Sequence, residues 1–163
     1  MSADLENTIY LDAPKGRVTI ELRPDLAPNH VARIKELIRA GFYDGLKFHR
    51  VIEGFMAQTG DPRGDGTGGS GKKLKAEFNA ANFRRGTVGM ARANDPDSGD
   101  SQFFICFEAA PFLDGKYTIW GQVTSGMEAV DAIKRGQGQS GTVSNPDQIV
   151  RMQVAADADK AGN

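Results

Sequence analysis

Apolar and polar residues alternate along most of this chain, and in two places they fall instead into a helical repeat. Ile9 and Leu11 stand between polar neighbours, Ala13-Pro14-Lys15-Gly16 supplies turn residues, and Val18, Ile20 and Leu22 resume the alternation, which predicts a hairpin. A helix follows: Pro28 suits a first helical position, Val31, Ile34, Leu37 and Ile38 share a face, and Gly41 provides a stop. A second helix is predicted near residues 126–135, where Ser125 and Glu128 have capping-box spacing, Met127, Val130 and Ile133 share a face, and Gly136 ends the run. The other apolar stretches are short, rich in aromatic and β-branched residues, and parted by Gly, Asp and Pro. They are Phe48–Ile52, Phe55–Thr59, Thr87–Ala91, Phe103–Phe107 and Tyr117–Val123. Ile149–Val154 alternates as well, with Val150, Met152 and Val154 predicted on one side. Two isolated helices among many strands do not make the strand–helix alternation of a parallel sheet, so the pattern predicts a mainly β fold, an antiparallel barrel with two covering helices. Residues 1–156 read as a single domain and 157–163 as a short, frayed C-terminal tail.

Composition narrows the class. The chain has 163 residues, 39% hydrophobic and 25% charged, the profile of one soluble globular domain. With 20 Lys+Arg against 21 Asp+Glu it lacks the basic excess of a nucleic-acid binder. No apolar run approaches the roughly 20 residues that span a bilayer, and the start has neither the basic nor the apolar region of a signal peptide. A cytoplasmic location, with no membrane contact, is expected. A single cysteine, Cys106, excludes an intramolecular disulfide and a Cys-cluster metal site, and its apolar strand predicts a buried small hydrophobe. Nothing in the sequence demands more than a monomer.

Several stretches could carry chemistry. Gly64-x-Gly66-x-x-Gly69 matches a dinucleotide fingerprint, and Gly66-x4-Gly71-Lys72 matches a phosphate loop except that Lys73 stands where Ser or Thr would hold magnesium. Both need a helix opening directly after the glycines, and no sustained apolar face follows, so a tightly turned surface loop is the expectation. Asp95-Pro-Asp97-Ser-Gly-Asp100 resembles the opening of a calcium loop but has Cys106 where the closing Glu belongs, and reads as a polar turn. His30 and His49 are too few for a zinc site. The segment Phe48–Asp61 is different, because strand–turn–strand geometry can put Arg50, Phe55, Met56 and Gln58 on one surface. The same spacing also suits Phe55 and Met56 in a core and Arg50 as a solvated charge.

That segment, Phe48-His-Arg-Val-Ile-Glu-Gly-Phe-Met-Ala-Gln-Thr-Gly-Asp61, resembles the signature of the cyclophilin-type peptidyl-prolyl cis-trans isomerases. Gly66-Thr-Gly-Gly69, Gly89-Met-Ala-Arg-Ala93, Ser101-Gln-Phe-Phe-Ile-Cys106, Phe112-Leu-Asp-Gly-Lys116 and Trp120-Gly-Gln-Val123 match further blocks in the same order, and Gly126-Met127 opens the second helix. The resemblance spans nearly the whole chain. It implies a closed eight-stranded antiparallel β-barrel with a helix closing each end, and an enzyme that rotates X-Pro bonds in peptides and unfolded proteins without a covalent intermediate. No metal or organic cofactor is implied. Arg50 matches the catalytic position. Phe55, Met56, Phe104 and Leu113 match the apolar pocket for the proline ring, and Gln58 the amide that anchors the substrate backbone. Ala91, Arg92 and Ala93 match a segment contacting the residues before proline, and Gln102 and Gly66 line the neighbouring groove.

Three departures from the family pattern matter. Phe112 stands where many members carry a tryptophan associated with tight cyclosporin binding, so cyclosporin is expected to bind weakly. Tyr117 replaces a histidine, removing a group that titrates near neutrality. Arg92 replaces a common asparagine and adds charge at the groove rim. The loop Asn94–Asp100 is about one residue longer than in common eukaryotic members, so its contacts do not carry over. The rival reading is a proline-peptide binding module or chaperone in which rotation plays no part; only the enzyme requires Arg50 at the rotating bond.

Overall fold

The structure, a computed structural model, describes residues 4–160. The first hairpin forms as its alternation predicts. Strands β1 (Thr8–Ala13) and β2 (Gly16–Leu22) pair antiparallel from Thr8↔Glu21 to Ala13↔Gly16, and Ile9, Leu11, Val18, Ile20 and Leu22 are each no more than 2% exposed. Helix α1 (Pro28–Arg39) buries Val31, Ile34, Leu37 and Ile38 on the predicted face, together with His30. Its end is set by Gly41, whose φ of +75° lets the amides of Gly41 and Phe42 donate back to the carbonyls of Ile38 and Leu37, both at 3.0 Å.

Six further strands complete one sheet: β3 (Arg50–Ile52), β4 (Met56–Thr59), β5 (Thr87–Met90), β6 (Phe103–Cys106), β7 (Ile119–Ser125) and β8 (Arg151–Val154). Their order is β3-β4-β6-β5-β7-β2-β1-β8, with every pair antiparallel. The fold is mainly β, as predicted, but the ladder is a curled, open half-barrel and not a closed barrel. Its ends, β3 and β8, do not pair with each other. Residues 141–149 run between them as irregular chain, giving scattered backbone bonds such as Phe48 N–H to Asp147 O at 2.9 Å and Val51 N–H to Gly141 O at 2.8 Å. The cause is local. Pro146 cannot donate, and Gly138, Gly141 and Asn145 take φ of +68°, +71° and +52°, which no strand can use.

Strand alternation sorts the apolar residues into two clusters. Val51, Ala57, Phe103, Ile105 and Phe107 face the main core with β1, β2, α1 and Trp120. Met56, Phe104 and Cys106 face the other side, where Phe83, Ala110, Leu113 and Ile119 cover them. Cys106 is fully buried, as expected, and desolvation pushes its thiol up to about 12.

Four expectations need correction. Helix α2 is shorter than predicted, Met127–Asp131, and has no capping box. Ser125 is still in strand, paired with Thr19, and the N-cap is Gly126 at φ +83°. Only glycine fits there, because a Cβ would stand 2.0 Å from the Arg17 carbonyl oxygen. The helix stops early because the next amides donate elsewhere, Lys134 N–H to Asp147 Oδ2 at 2.9 Å and Gly136 N–H to the Val51 carbonyl at 2.8 Å. Arg135 Nη1 takes the freed carbonyls of Asp131 and Ile133, at 2.5 and 2.7 Å. Val150 lies outside β8 and is 64% exposed, while Gln153 on the opposite face from Met152 is buried. The stretch expected as a tail from 157 begins inside a third helix, α3 (Ala155–Lys160), which buries Ala155 and Ala158; residues 161–163 lie outside the described residues. No described helix is long and apolar enough to cross a membrane.

Candidate active site

Register carries the candidate residues into rows across the outer face of the half-barrel. Arg50 on β3 is opposite Gln58 on β4, Gln58 is opposite Phe104 on β6, and Phe104 is opposite Gly89 on β5. One step along, Ile52, Met56 and Cys106 form the next row. Because neighbours on a strand point to opposite faces, Val51 and Ala57 enter the main core while Arg50, Met56 and Gln58 remain on the other side. The row ends on glycine for a packing reason. A Cβ on Gly89 would lie 2.8 Å from Phe83 and 2.9 Å from Phe104, the two rings that stack there with centroids 5.7 Å apart.

Arg50 is held from two sides. Its Nε donates to the Ser140 carbonyl at 3.0 Å and its Nη1 to Gln58 Oε1 at 3.1 Å. Gln58 Nε2 passes the chain to Gln102 Oε1 at 2.9 Å, and Gln102 Nε2 ends it on the carbonyls of Gly66 and Gly68 at 3.1 and 2.9 Å. The relay fixes which end of each amide is the acceptor, so Gln58 must present its oxygen to the guanidinium. Arg50 Nη2 makes no hydrogen bond among the described residues, leaving one arm of the fork for a ligand.

A groove of about 740 Å³ lies over this row. Its apolar floor and wall are Phe55, Met56, Phe104, Leu113 and Tyr117, with Phe112 at the rim. Phe112 sits in a single 3-10 turn, Pro111–Leu113, is 61% exposed, and leans on Phe55 with ring centroids 5.4 Å apart. Tyr117 meets Phe104 edge-on at 5.8 Å, and Arg92 lies over the Tyr117 ring at 4.5 Å while donating to the Lys116 carbonyl. Gly66, Ala91 and Arg92 pass from this groove into a smaller cavity that also takes in Ala93 and Gln102. Every candidate residue named from the sequence therefore lies on one of two adjoining hollows.

The glycine-rich stretch is a loop, with Gly64, Gly66 and Gly71 at positive φ and no helix after it, as expected. Asp61, 1% exposed, organises it. Its carboxylate accepts from the amides of Arg63 at 2.8 Å, Asp65 at 3.1 Å and Gly66 at 2.5 Å. Burial alone would raise its pKa, but these amides and that of Gly68 outweigh it and hold the carboxyl below its ordinary value. A lowered folded value means the stabilisation is fully present above the unfolded pKa and is lost as pH falls through the folded one. Asp61→Asn is accordingly expected to cost about 1–3 kcal/mol at neutral pH, read as a urea midpoint shift. The gap to wild type should close below the ordinary carboxylate range. The Asp95–Asp100 stretch is likewise a pinned turn, with Asp97 accepting from Ala76 N–H at 2.9 Å, and the described residues contain no three-residue cluster of metal-ligating side chains.

Sequence reasoning missed part of the wall. His49, Asp65, Ser140, Thr142 and Val143 also line the groove. His49 is 7% exposed, burial pushes its imidazole below its usual value, and neither ring nitrogen is hydrogen-bonded among the described residues. Its place beside Arg50 was a usable signal; the 140–143 segment had none, since it reaches the site only through the open edge of the sheet.

Comparison with known proteins follows the same outline. The family model for cyclophilin type peptidyl-prolyl cis-trans isomerase/CLD matches residues 8–154. A probable peptidyl-prolyl cis-trans isomerase of Brucella suis is 54% identical, covering 96% of this chain and 86% of its own length. Peptidyl-prolyl cis-trans isomerase B of Bacillus subtilis is 46% identical over 74% of this chain and 85% of its own. Among solved structures, the cyclophilin AquaCyp293 from Hirschia baltica superposes with a TM-score of 0.87 at 30% identity, covering 96% of this chain and 77% of that one. A cyclophilin type isomerase of Cryptosporidium parvum, solved in the presence of the dipeptide Ala-Pro, gives 0.84 at 28% identity, with 90% and 98% covered.

Proposed function

Because the chain belongs to the cyclophilin-type peptidyl-prolyl cis-trans isomerases, we propose that Arg50 is the group through which it lowers the barrier to rotation about X-Pro bonds. That barrier, about 18–20 kcal/mol, is the loss of amide resonance. In the twisted state the imide nitrogen is no longer conjugated and becomes a hydrogen-bond acceptor. No covalent bond forms or breaks, so catalysis is preferential binding of that state, and a 10⁵-fold acceleration needs about 7 kcal/mol of it. A guanidinium stays protonated and presents fixed donors. The observation that carries the reading is the clamp: Nε on Ser140, Nη1 on Gln58, and Nη2 unbonded among the described residues at an apolar groove.

The remaining roles follow from position. The proline ring sits on Phe55, Met56, Phe104 and Leu113, with Phe112 and Tyr117 at the sides. Gln58 anchors the substrate backbone on one side of the rotating bond. Residues before proline lie along Ala91, Arg92 and Ala93 toward Gly66 and Gln102. Proline-containing peptides and unfolded proteins are then the ligands. Cis–trans exchange in a short X-Pro peptide tests the assignment. Strong acceleration lost in a folded Arg50→Ala variant supports it, whereas peptide binding without acceleration in the wild type points to the binding module.

Cyclosporin discriminates at Phe112, which has no donor where an indole N–H would stand. Phe112→Trp is expected to tighten inhibition of isomerase activity by about 10-fold, the scale of one hydrogen bond; unchanged inhibition would remove Phe112 as the cause of weak binding.

A further inference from the structure

The smaller cavity, about 320 Å³, opens off the groove through Gln58, Gly66, Ala91 and Arg92 and continues past Lys73 and Asp100. Each of its neutral polar side chains already holds at least one protein hydrogen bond. Gln58 and Gln102 are used in the relay from Arg50. The Ser98 hydroxyl accepts from Ala93 N–H at 2.8 Å and donates to the Asp95 carbonyl at 2.6 Å, and the Thr67 hydroxyl donates to Asp65 at 2.6 Å. Asp100 is committed too. Its Oδ1 accepts from the amide and hydroxyl of Ser70 at 2.8 and 2.5 Å, and its Oδ2 from Gly71 N–H at 3.0 Å.

What stays open is cationic. Lys73 forms no hydrogen bond or ion pair among the described residues. Arg92 is oriented by the carbonyls of Lys116, at 3.0 and 2.7 Å, and of Ala93, at 2.9 Å. Carbonyls fix its geometry but leave its charge uncompensated, and no carboxylate among the described residues pairs with it. Two positive charges thus face a single carboxylate, that of Asp100, which accepts from the Ser70 and Gly71 amides and the Ser70 hydroxyl, and the cavity keeps a positive excess. Asp95 and Asp97, on the same loop, do not line the cavity.

We infer that this cavity selects an acidic side chain upstream of the proline, so that Glu- or Asp-bearing X-Pro segments are the preferred substrate class. The inference rests on the assignment of Ala91–Ala93 to the residues before proline. It is tested by kcat/KM for peptides carrying Glu, Ala or Lys two or three residues before the proline, compared as ratios within each protein variant. Glu should exceed Lys by about five-fold at low salt, the scale of an exposed ion pair. The ratio should shrink towards one near 1 M salt, where the Debye length is about 3 Å. Lys73→Glu should reverse the order. Equal values across the three peptides, or a Glu preference that survives Lys73→Glu, would overturn the inference. Turnover of none of them would overturn the isomerase assignment of the groove, and this inference with it.

Discussion

Arg50→Ala is expected to lower kcat/KM for an X-Pro peptide by about 10²–10³-fold, the loss that follows removal of one preorganised donor aimed at developing charge. The effect should fall on kcat, because a donor to the imide nitrogen has no acceptor until the bond twists and conjugation is lost. Peptide affinity should change little, since in the proposed assignment the ring rests on Phe55, Met56, Phe104 and Leu113, which line the groove apart from Arg50. Arg50→Lys sharpens the test. An ammonium restores the charge, but it cannot hold Ser140 and Gln58 through two nitrogens and still offer a third. Its rate should therefore lie much nearer Ala than wild type. A lysine variant with near wild-type kcat would show that charge alone suffices and that the clamp is incidental. Folding is not at issue in either variant, because the two hydrogen bonds lost are worth about 1 kcal/mol each and a urea titration would detect more.

Gly136→Ala should have the largest effect of any single methyl group near the site. A Cβ at Gly136 would stand 1.8 Å from the Gly141 carbonyl oxygen and 2.2 Å from its carbon, so backbone must move. That backbone is engaged. Gly136 N–H donates to the Val51 carbonyl and Val51 N–H to the Gly141 carbonyl, both at 2.8 Å, and between them lies Ser140, whose carbonyl holds Arg50 Nε. Pushing the turn off β3 breaks the pair and loosens the guanidinium together. The expected cost is about 3 kcal/mol, or roughly 10 °C in Tm for a domain of this size, with kcat/KM falling about 10-fold as Arg50 loses one side of its clamp. Gly138→Ala is the control. It lies in the same turn at φ +68°, but its Cβ would meet nothing within 4 Å, so only left-handed strain of about 1 kcal/mol is expected. Equal losses in the two variants would show that strain, not the contact, governs this turn.

Much of this architecture is legible in the chain because the period of the apolar residues is a local property. The spacing of Ile9, Leu11, Val18 and Ile20 specifies the first hairpin, and Val31, Ile34, Leu37 and Ile38 specify the face of α1, whichever partners cover them. Strand edges are less legible. Phe48 and His49 read as strand by composition, yet β3 begins at Arg50. Their amide and carbonyl bond irregular chain, Phe48 N–H to Asp147 O and Val143 N–H to His49 O, and not a neighbouring strand. Ser125 and Glu128 have the spacing of a capping box, but spacing says nothing of the Arg17 carbonyl that lies across the turn and admits only Gly126.

The same division runs through the site. The chain by itself allows Arg50, Phe55, Met56 and Gln58 on one surface through a strand–turn–strand, an arrangement that spacing alone does not force, and its motif blocks identify the family. The tertiary structure alone decides what surrounds them. Ser140 lies 90 residues from Arg50 in the chain, Gln102 lies 44 from Gln58, and His49 forms a buried wall of the groove. Such contacts depend on how an open sheet curls and where its irregular edge returns. Those are outcomes of packing the whole core, which no local pattern of residues encodes.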